Sequence, residues 1–446
     1  MKKNKHSHEL RRKKGGIPLK QRLIFHCDCN NFYASCECLE RPELKDVPMA
    51  VAGDPKYRTG VVVAKNELAK RAGVKTTDTV WQAQRKCPGI VFVPPRHHLY
   101  AQISKQVNEI YHEYTDYLEP ASIDESYLDM TGAPEYYGMT AVELADTLRK
   151  RVREEIGVTI SVGISHCKVF AKMGSDYKKP DATTHITREN YQELLWKLPI
   201  GDLLFAGKAT VGELHKHSIL TIGDLARRDR NWLGQLLGKG GQQLWDYANG
   251  LDTDPVRLWG EKEEIKSVSR GMTFRRNLVT EDEIWCGLSV LTDEIAMQLR
   301  HHGLKGSVVQ VHIKTPELKT ISRQVTLDHY TCLHKEILQT CMDIVRTHWR
   351  IGDKAPIRAL TAGVTHLVPA DQATEQLNLF AMAGMGEKPA MDREKQERLE
   401  AAMDRIRMKH GSGSISMGFA ENEAIGVVRK KSRNAESPDA QEGDGE

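Results

Sequence analysis

The sequence lacks any long apolar run, carries little net charge and has few cysteines for its length. No segment approaches the roughly 18 consecutive apolar residues that a membrane-spanning helix requires, so we expect no contact with a membrane. The basic beginning, residues 1–22, is not followed by the apolar stretch of a secretory signal. Nine cysteines among 446 residues therefore indicate reduced thiols, and we expect a cytoplasmic protein.

The charges of the chain nearly cancel. Sixty-four Lys and Arg stand against 60 Asp and Glu, which leaves a formal net charge of +4. This balance excludes a uniformly basic nucleic-acid binder, but it allows charge that is segregated along the chain. Hydrophobic residues make up 40% of the sequence and charged residues 28%, so the chain is able to bury real cores. At about 150 residues per domain, the length predicts roughly three domains, or one large domain with appendages.

Short apolar strands alternate with amphipathic helices over the first 187 residues. The first predicted strand covers 23–27 and ends before Asp28, and a helix over 31–38 follows it with Asn30 as N-cap. Further strands are predicted at 61–64, 90–93, 117–122, 126–130 and 158–164, and further helices at 97–116, at 141–156 and up to Ala72. This alternation is typical of an α/β fold with a mixed sheet and crossing helices.

Residues 188–258 show a different pattern of short helices separated by glycines, which predicts a small helical module. Within it, residues 214–225 consist of a helix, a turn and a further helix. They resemble a helix-hairpin-helix that offers backbone amides to a phosphate, although most helical hairpins are simply packing units.

From residue 262 to 368 the predicted order is strand, helix, strand, strand, helix, strand, which is a split βαβ sandwich. Its strands carry outward-capable basic residues, among them Arg270, Arg275, Arg276 and Arg323. We expect them on an open face of the sheet, where they suit a nucleic-acid backbone. A merely solvated sheet face explains them equally well.

The two ends of the chain differ from its middle. Residues 1–21 are rich in Lys and Arg and predict a flexible basic arm, which is either solvated or in contact with phosphates. Residues 369–446 predict a flexible polar tail with a helix at 392–409 and an acidic end. An apolar peptide in this tail consists of Gln376, Leu377, Asn378, Leu379 and Phe380. Such a peptide has no core to join, so it either needs a binding partner or is a liability for aggregation.

Three carboxylates are the informative acidic residues. Asp28 follows the first predicted strand, and Asp124 and Glu125 lie in the turn between two others. Central strands of one sheet lie about 4.8 Å apart, so acids at their ends are able to reach shared cations. Mg²⁺ prefers such oxygen ligands, and two ions together support an in-line phosphoryl displacement. Any one of these acids alone is more often an ordinary loop residue.

Phosphate contacts are also predicted near these acids. Residues 30–34, which include Asn31 and Phe32, open a helix just past Asp28, and the free amides there form a phosphate cradle. Lys70 and Lys179 lie in polar, partly helical contexts from which a cation could reach a triphosphate. Each lysine alone is more often an ordinary surface residue.

Three segments together carry a resemblance to a known family. They are Phe25-His-Cys-Asp-Cys-Asn-Asn-Phe-Tyr-Ala-Ser-Cys-Glu37, Ala121-Ser-Ile-Asp-Glu-Ser-Tyr-Leu-Asp129 and Val162-Gly-Ile-Ser-His-Cys-Lys-Val-Phe-Ala-Lys172. The sequence resembles the Y-family translesion DNA polymerases of the bacterial DNA polymerase IV-like type. The resemblance extends over about residues 22–380, and the second segment is highly specific to that family.

The resemblance implies roles for individual residues. Asp28, Asp124 and Glu125 would hold two Mg²⁺ ions, with the backbone carbonyl of Cys29 completing a metal shell. Tyr33, five residues after the first Asp, would be the steric gate that excludes ribonucleotides. Lys70 and Lys179 would bind the triphosphate, and the roof of the base pocket would be formed by Val61 and Val63.

The resemblance also implies a domain organisation and partners. It assigns a palm to 22–35 and 96–187, fingers to 36–95, a thumb to 188–258, a little finger to 262–368 and a tail to 369–446. The peptide at 376–380 resembles the bacterial sliding-clamp peptide, so the expected partners of a monomeric enzyme are primer–template DNA, dNTP and the clamp. Two positions depart from the family. A tyrosine near the triphosphate is replaced by Glu67, an acid that would repel phosphate, and the Gly-x-Gly of the thumb hairpin is Phe205-Ala206-Gly207.

The leading hypothesis is therefore template-directed addition of dNTPs to a primer by two-metal phosphoryl transfer. A catalytically silent, clamp-tethered DNA-binding adaptor in DNA repair is the alternative, but it would not need three metal ligands. A palm-fold nucleotide cyclase would need neither thumb nor clamp peptide. The pairs Cys27-x-Cys29 and Cys36-x-Cys38 invite a zinc site, but their spacing is shorter than the usual C-x₂₋₄-C.

Overall fold

The computed structural model describes residues 21–54, 60–261, 264–352, 355–373, 390–411, 413–415 and 422–427. The described residues divide into two compact units. The N-terminal unit comprises the described residues within Met1–Gly53 and Val61–Lys262, and the C-terminal unit comprises those within Asp54–Gly60 and Glu263–Glu446. None of the helices in these ranges is both long enough and apolar enough to span a bilayer.

The N-terminal unit contains eight strands and twelve α-helices in its described residues. The strands are β1 (Ile24–Cys29), β2 (Met49–Ala52), β3 (Val62–Lys65), β4 (Val91–Val93), β5 (Leu118–Pro120), β6 (Glu125–Asp129), β7 (Ile160–Ser165) and β8 (Thr183–His185). The helices are α1 (Phe32–Glu40), α2 (Glu67–Arg71), α3 (Val80–Lys86), α4 (His97–His112), α5 (Ala133–Tyr137), α6 (Ala141–Glu155), α7 (Lys168–Tyr177), α8 (Tyr191–Leu195), α9 (Lys208–Lys216), α10 (Ile222–Ala226), α11 (Arg230–Leu237) and α12 (Lys239–Ala248). Short 3₁₀ turns lie at Pro42–Lys45 and Ile200–Asp202.

A five-stranded sheet in the order β5-β6-β1-β7-β8 is the centre of the N-terminal unit. Strand β1 is buried along its whole length because it is paired on both sides and covered on both faces. Its side chains alternate between the two faces. Phe25 and Cys27 join the core that includes α4 and α6, whereas Ile24 faces Ala171 of α7. By the same alternation, His26 and Asp28 face α7.

The turn from β1 to α1 differs from the prediction in two ways. Asp28 lies within β1 rather than after it, because pairing with β6 and β7 continues past the apolar run. Asn30 is not the N-cap of α1. Its side chain bonds Thr159 and Ser161 instead, and Asn31 occupies the cap position in the left-handed conformation with φ 49°. The helix therefore begins one residue later than predicted.

A second sheet, in the order β3-β2-β4, forms a separate small core with its helices. Strand β2 was not predicted, because Met49–Ala52 is short and has no alternation, being buried on both faces. Helices α8 to α12 pack around a further apolar cluster that includes Leu214, Ile222 and Leu225. Helix α9, the turn that follows it and α10 thus form a packed helix–turn–helix.

The C-terminal unit has the predicted order of elements. They are β9 (Ser267–Leu278), α13 (Glu281–His301), β10 (Leu304–Lys314), β11 (Thr320–Thr331), α14 (His334–His348), β12 (Ile357–Pro369) and α15 (Ala390–His410). The strands form one antiparallel sheet in the order β11-β10-β12-β9. The buried sides of α13 and α14 form one core with this sheet, and α13 begins with a capping box between Thr280 and Glu283.

The prediction of a flexible polar tail is wrong for the described parts of 369–446. Glu400, Met403 and Arg407 of α15 are buried, and α15 contacts α13. Ile425 and Val427 belong to the core of the C-terminal unit. Opposite charges on α15 and the body of the unit explain this docking, and a mainly polar helix gives little sign of it in its sequence. The peptide at 376–380 and the basic arm at 1–20 lie outside the described residues.

Candidate active site

Asp28 and Glu125 lie opposite each other on neighbouring strands. They are register partners in the antiparallel pair of β1 and β6, so both side chains leave the sheet on the same face. Ser161 of β7 is the other neighbour of Asp28, and this central position leaves Asp28 only 4% exposed. The structure thus brings two of the three predicted carboxylates together.

Helix α7 crosses this face at a very short distance from the sheet. A Cβ atom at Gly163 of β7 would collide with the backbone of Ala171 and Ser175, so a glycine is required there. Gly174 of α7 meets Gly163 in return. This close approach positions the polar side of α7 directly over Asp28 and Glu125.

Two lysines from this segment neutralise the carboxylates. The Nζ of Lys172 lies 3.2 Å from Asp28 Oδ2 and 2.9 Å from Glu125 Oε1. The Nζ of Lys179 lies 2.6 Å from the same Oδ2 of Asp28. Asp176 contacts both ammonium groups, at 3.2 Å from Lys172 and 2.7 Å from Lys179. Three acids and two lysines therefore form one connected cluster.

Sequence reasoning missed Lys172 and Asp176 as site residues. The available signal was Gly163 within an apolar strand, because a glycine there often marks the close approach of another backbone. Lys179, in contrast, was a predicted site residue, and the structure places it on Asp28.

Burial and charge have opposite effects on the two neighbouring acids. Burial raises the pKa of Asp28 to about 6, because desolvation outweighs the attraction of Lys179 and Lys172. Burial also disfavours the charge of Glu125, but the neighbouring imidazole of His26 and the ammonium of Lys172 prevail and lower its pKa. The ionised form of Asp28 therefore depends on a nearby cation, whereas Glu125 is the stronger acid.

His26 supports the cluster from inside the sheet. It is fully buried, and its Nδ1 lies 2.8 Å from the hydroxyl of Ser175 on α7. Its Nε2 lies 3.4 Å from Oε2 of Glu125. The imidazole thus bonds α7 through Ser175 and lies close to Glu125, although its Nε2 makes no hydrogen bond among the described residues. Burial lowers the pKa of His26.

Asp124 is adjacent but turned aside. Its carboxylate accepts a hydrogen bond from Ser122 Oγ at 2.7 Å, and its carbonyl accepts one from the backbone N–H of Cys29 at 2.9 Å. Among the described ranges, no three His, Cys, Asp or Glu side chains form a ready metal site. The donor chemistry nevertheless fits a hard cation, because Asp28 and Glu125 both direct an oxygen at the ammonium of Lys172.

Tyr33 is held by a stacked aromatic pair. Its ring lies 4.2 Å from that of Tyr100, at an interplanar angle of 15°. The hydroxyl of Tyr100 donates to the buried Glu37 at 2.7 Å, and Arg41 and Arg96 neutralise that acid. The ring of Tyr33 is therefore fixed from behind while the residue remains partly exposed. Phe32, by contrast, is buried in the core.

Glu67 has a specific structural role. It accepts hydrogen bonds from Asn31 Nδ2 at 2.9 Å and from Lys70 Nζ at 3.2 Å. The bond from Asn31 is the main reason why the pKa of Glu67 is lowered. An acid at this position thus links α1 to α2 and draws Lys70 towards Asn31.

The two valines of the predicted base-pocket roof lie on the small sheet. Val61 is 38% exposed and Val63 is 39% exposed. Val61 forms a bridge with Thr79, the N-cap of α3. Both side chains are therefore available as a small apolar surface.

The four arginines of the C-terminal unit do not share one open sheet face, so the prediction of a common open face is wrong, while their contact with DNA stays a prediction. Arg270 pairs with Ala362, which is buried in the core, and its guanidinium lies 3.3 Å from Glu294 of α13. Arg276 forms an ion pair with Glu283 of α13. Alternation along a strand assigns a side chain to a face only when the register with its neighbours is known.

The other two arginines lie on different faces. Arg323 on the edge strand β11 is the partner of the core residue Val311, so it shares the face of Arg270. Arg275 follows the buried Phe274 and points away from the helices. It also bonds the carbonyl of Glu423 at 3.3 Å. Within this set, Arg275 is the arginine on the open face.

The segment that replaces the family's Gly-x-Gly has an unusual conformation. Phe205 adopts a positive φ of 68°, a region in which a residue with a side chain is strained. Its ring is 71% exposed and lies 5.8 Å from that of Tyr247. Gly207 directly precedes α9.

The chain matches known proteins along most of its length. Residues 27–176 match the impB/mucB/samB family, and residues 265–379 match the C-terminal domain of the same family. A protein named DNA polymerase IV from Acetivibrio thermocellus is 42% identical over 399 residues, which is 90% of this chain and 97% of that protein. DNA polymerase IV 1 of Bacillus subtilis is 36% identical over 405 residues, covering 90% of this chain and 94% of the relative.

A solved structure is also similar. A Y-family DNA polymerase chimera superimposes with a TM-score of 0.68 at 23% identity, covering 78% of this chain and 99% of that one. The fold is therefore that of a Y-family polymerase, with mixed sheets and helices. Taken with the sequence matches, the chain belongs to the impB/mucB/samB family of Y-family translesion DNA polymerases related to DNA polymerase IV, and it is a DNA-directed DNA polymerase. Such enzymes are metal-dependent nucleotidyltransferases, and the adaptor alternative is not favoured.

Proposed function

We propose that Asp28, Asp124 and Glu125 hold two Mg²⁺ ions, with the carbonyl of Cys29 as a further ligand, and that the enzyme joins dNTPs to a primer opposite damaged or undamaged template. The observation that carries the proposal is the convergence of Asp28 and Glu125 on one cation position, at 3.2 and 2.9 Å from the ammonium of Lys172. Bound there, the ions would favour the deprotonated primer hydroxyl and neutralise charge on the phosphates. The side chains fix where this occurs.

Lys179 is the proposed triphosphate ligand on the palm side. Its ammonium lies 2.6 Å from Asp28, so a phosphate next to the metal site is within its reach once the lysine turns from the carboxylate. Lys70 would approach from the opposite side, together with the amides of Asn31 and Phe32 at the start of α1. Glu67 holds Lys70 and Asn31 in one group, and this group takes the place of the family's tyrosine.

The remaining parts of the proposal concern selectivity and partners. Tyr33 would exclude the 2′-hydroxyl of ribonucleotides, and Val61 and Val63 would form a loose roof over the base pair. The C-terminal unit would act as a little finger that contacts primer–template DNA through the open face that carries Arg275. The apolar peptide at 376–380 would bind a sliding clamp, with the enzyme acting as a monomer.

Primer extension with Mg²⁺ tests the proposed metal ligands. We expect Asp124→Ala to lower kcat by about 10³-fold, because the ions that would neutralise transition-state charge lose one of their proposed ligands. The exposed Asp116, whose side chain is 63% accessible, supplies the control Asp116→Ala, which is expected to leave the rate unchanged. If Asp124→Ala extends primers as well as the wild type does, the assignment of this acid is wrong.

Competition between rNTP and dNTP tests Tyr33. We expect Tyr33→Ala to reduce discrimination against ribonucleotides by about 10²-fold or more, because the ring that clashes with the 2′-hydroxyl is removed. Tyr33→Phe keeps the ring and its stacking on Tyr100, so it is expected to keep the discrimination. Equal discrimination by the wild type and Tyr33→Ala would exclude a steric gate at this residue.

A further inference from the structure

Lys172 is placed where the proposed metal would bind. Its Nζ contacts Asp28 Oδ2 at 3.2 Å, Glu125 Oε1 at 2.9 Å and Asp176 Oδ2 at 3.2 Å. The side chain is only 16% exposed, so these three acids are its main polar surroundings. Two of the three are proposed metal ligands, and Asp176 is not.

A divalent cation and this ammonium cannot share the same two oxygens. At a separation of about 4 Å, charges of +2 and +1 repel each other strongly, with twice the energy of two unit charges at that distance. Metal binding at Asp28 and Glu125 therefore requires the ammonium to move away. A lysine is suited to this, because its ammonium is a point charge on a flexible stem and is not tied to a planar geometry.

Asp176 is the nearest destination for the displaced ammonium. It lies one helical turn after Lys172 on α7, and it already contacts the Nζ of Lys172. Its side chain is half exposed, so Lys172 can turn towards solvent and keep this ion pair. Lys179 also contacts both Asp28 and Asp176. It can therefore leave Asp28 for a bound triphosphate while it keeps its contact with Asp176.

We propose that Lys172 is a positioning residue that acts as an exchangeable counter-cation: it neutralises Asp28 and Glu125 until the metal binds, and Asp176 then holds it. This inference rests on the proposed metal ligands. It predicts that the protein without DNA binds metal weakly, because every metal ion must first displace an ammonium group. The lysine would keep the two acids together and close the site to adventitious cations.

Metal titration of the full-length protein without DNA or nucleotide tests the proposal. Free Mn²⁺ is followed by electron paramagnetic resonance, and Mg²⁺ by calorimetry. We expect Lys172→Met to tighten metal binding about tenfold, since the competing cation is gone. Asp176→Asn is expected to weaken binding about fivefold, because the ammonium loses its alternative partner. The double variant is expected to bind like Lys172→Met.

Matched variants separate the possible explanations. Lys168 lies one turn earlier on α7 and is similarly buried against Glu119, at 2.6 Å, so Lys168→Met controls for the loss of a part-buried lysine. It is expected to bind metal like the wild type. Thermal unfolding in EDTA confirms that each variant is folded, and Lys172→Gln replaces Lys172→Met if the latter does not fold.

The outcomes distinguish this inference from the proposed metal site. If Asp28→Asn binds metal as the wild type does, the proposed site itself is wrong. If Asp28→Asn loses binding but Lys172→Met binds no more tightly than the wild type, the site stands and the role of Lys172 is wrong. If Asp176→Asn weakens binding equally with and without Lys172, Asp176 acts only through its charge and does not receive the lysine.

Discussion

The lysine cluster of the N-terminal unit and the arginine cluster of the C-terminal unit both join buried opposite charges, and the two clusters are built differently. The lysine cluster of the N-terminal unit consists of Lys172 and Lys179 with Asp28, Glu125 and Asp176. The arginine cluster of the C-terminal unit consists of Arg300 and Arg407 with Asp293, Glu400 and Asp404. The first lies at a proposed substrate site, and the second lies beneath helix α15.

The arginine cluster uses its donors in fixed directions. Two nitrogens of Arg407 donate to the two oxygens of Asp293 at 3.1 and 2.7 Å, and its Nε donates to the carbonyl of Ile415 at 2.9 Å. Arg300 similarly joins Glu400, Asp404 and the carbonyl of Cys332. Planar forks of this kind specify one geometry.

The lysine cluster has no such forks. Lys172 shares one ammonium among three carboxylates, and Lys179 shares another between two of the same acids. Alternative partners of similar distance allow an ammonium to leave one acid without being stranded. Lysine thus suits the site whose carboxylates must become available to a ligand. Arginine suits the contact that must hold helix α15 in place.

The largest difference in stability between the two clusters is expected when one arginine or one lysine is replaced by methionine. Arg407 is 7% exposed, so Arg407→Met leaves Asp293 buried without its partner. We expect the free energy of unfolding of the C-terminal unit to fall by about 3–5 kcal/mol, as for other broken buried pairs. Lys172→Met is expected to cost about 1 kcal/mol or less, since Lys179 still neutralises Asp28. Hydrogen exchange of peptides from α13 and α15 measures the first effect.

A double variant checks the cause of this loss. In Arg407→Met with Asp293→Leu both charges are removed, and most of the stability should return because no buried charge is left unpaired. If the double variant is as unstable as Arg407→Met alone, loss of packing explains the effect. If Lys172→Met destabilises its unit as much as Arg407→Met does, the proposed contrast between the clusters is wrong.

Local patterns in the sequence predicted the strands that carry the acids. The apolar run before Asp28 and the pair Asp124 and Glu125 between two strand-like segments are short-range signals, as is the strand and helix order of the C-terminal unit. The N-cap at Asn30 was wrong, because Thr159 and Ser161, which bind its side chain, are more than a hundred residues away. A capping preference has no force against such tertiary partners.

Positions that depend on packing between elements were not predictable in this way. The place of Lys172 over Asp28 follows from the crossing of α7 at Gly163. The face of Arg270 follows from its register with Ala362. Helix α15 docks through ion pairs such as that of Arg407 with Asp293, and a polar helix gives no apolar stripe to reveal a buried side.

Replacing arginine by lysine in the arginine cluster is expected to lower stability by less than removing the arginine does. Arg407→Lys keeps the charge but loses the two-pronged contact with Asp293 and the bond to Ile415. We expect a loss of about 1–2 kcal/mol in the free energy of unfolding, because one or two charge-assisted hydrogen bonds are removed. Denaturant unfolding, monitored by the hydrogen exchange of peptides from α15, measures this loss.

The reverse exchange completes the test. Lys172→Arg should leave the stability of the N-terminal unit within about 0.5 kcal/mol, but it should weaken metal binding, since a guanidinium that grips both Asp28 and Glu125 is harder to displace. Unchanged metal affinity in Lys172→Arg would argue against the importance of a movable cation. Unchanged stability in Arg407→Lys would show that charge alone holds α15.

The smallest effect on stability is expected from a change of pH, through the contact between the start of α15 and helix α14. Glu336 accepts from Arg393 Nε at 2.8 Å and lies 3.0 Å from His329. Burial opposes its ionisation, but these partners prevail and lower the pKa of Glu336 to about 2. The ionised acid therefore stabilises the folded unit above its ordinary pKa of 4.5, and this contribution is lost as the pH falls from 4.5 towards 2.

The pKa of His329 is raised, mainly by its contact with Glu336. The stability that protonated His329 contributes is complete below the ordinary pKa of 6.5. It is lost as the pH rises through the raised pKa of the folded state. Glu336→Gln should therefore lower stability most between about pH 4.5 and 6.5, by about 1 kcal/mol because the pair is partly exposed to solvent. Urea midpoints at several pH values measure the effect. Glu394→Gln, at an exposed position on α15, serves as control and should leave the profile unchanged. A pH-independent loss in Glu336→Gln would mean that Glu336 acts by packing rather than by charge.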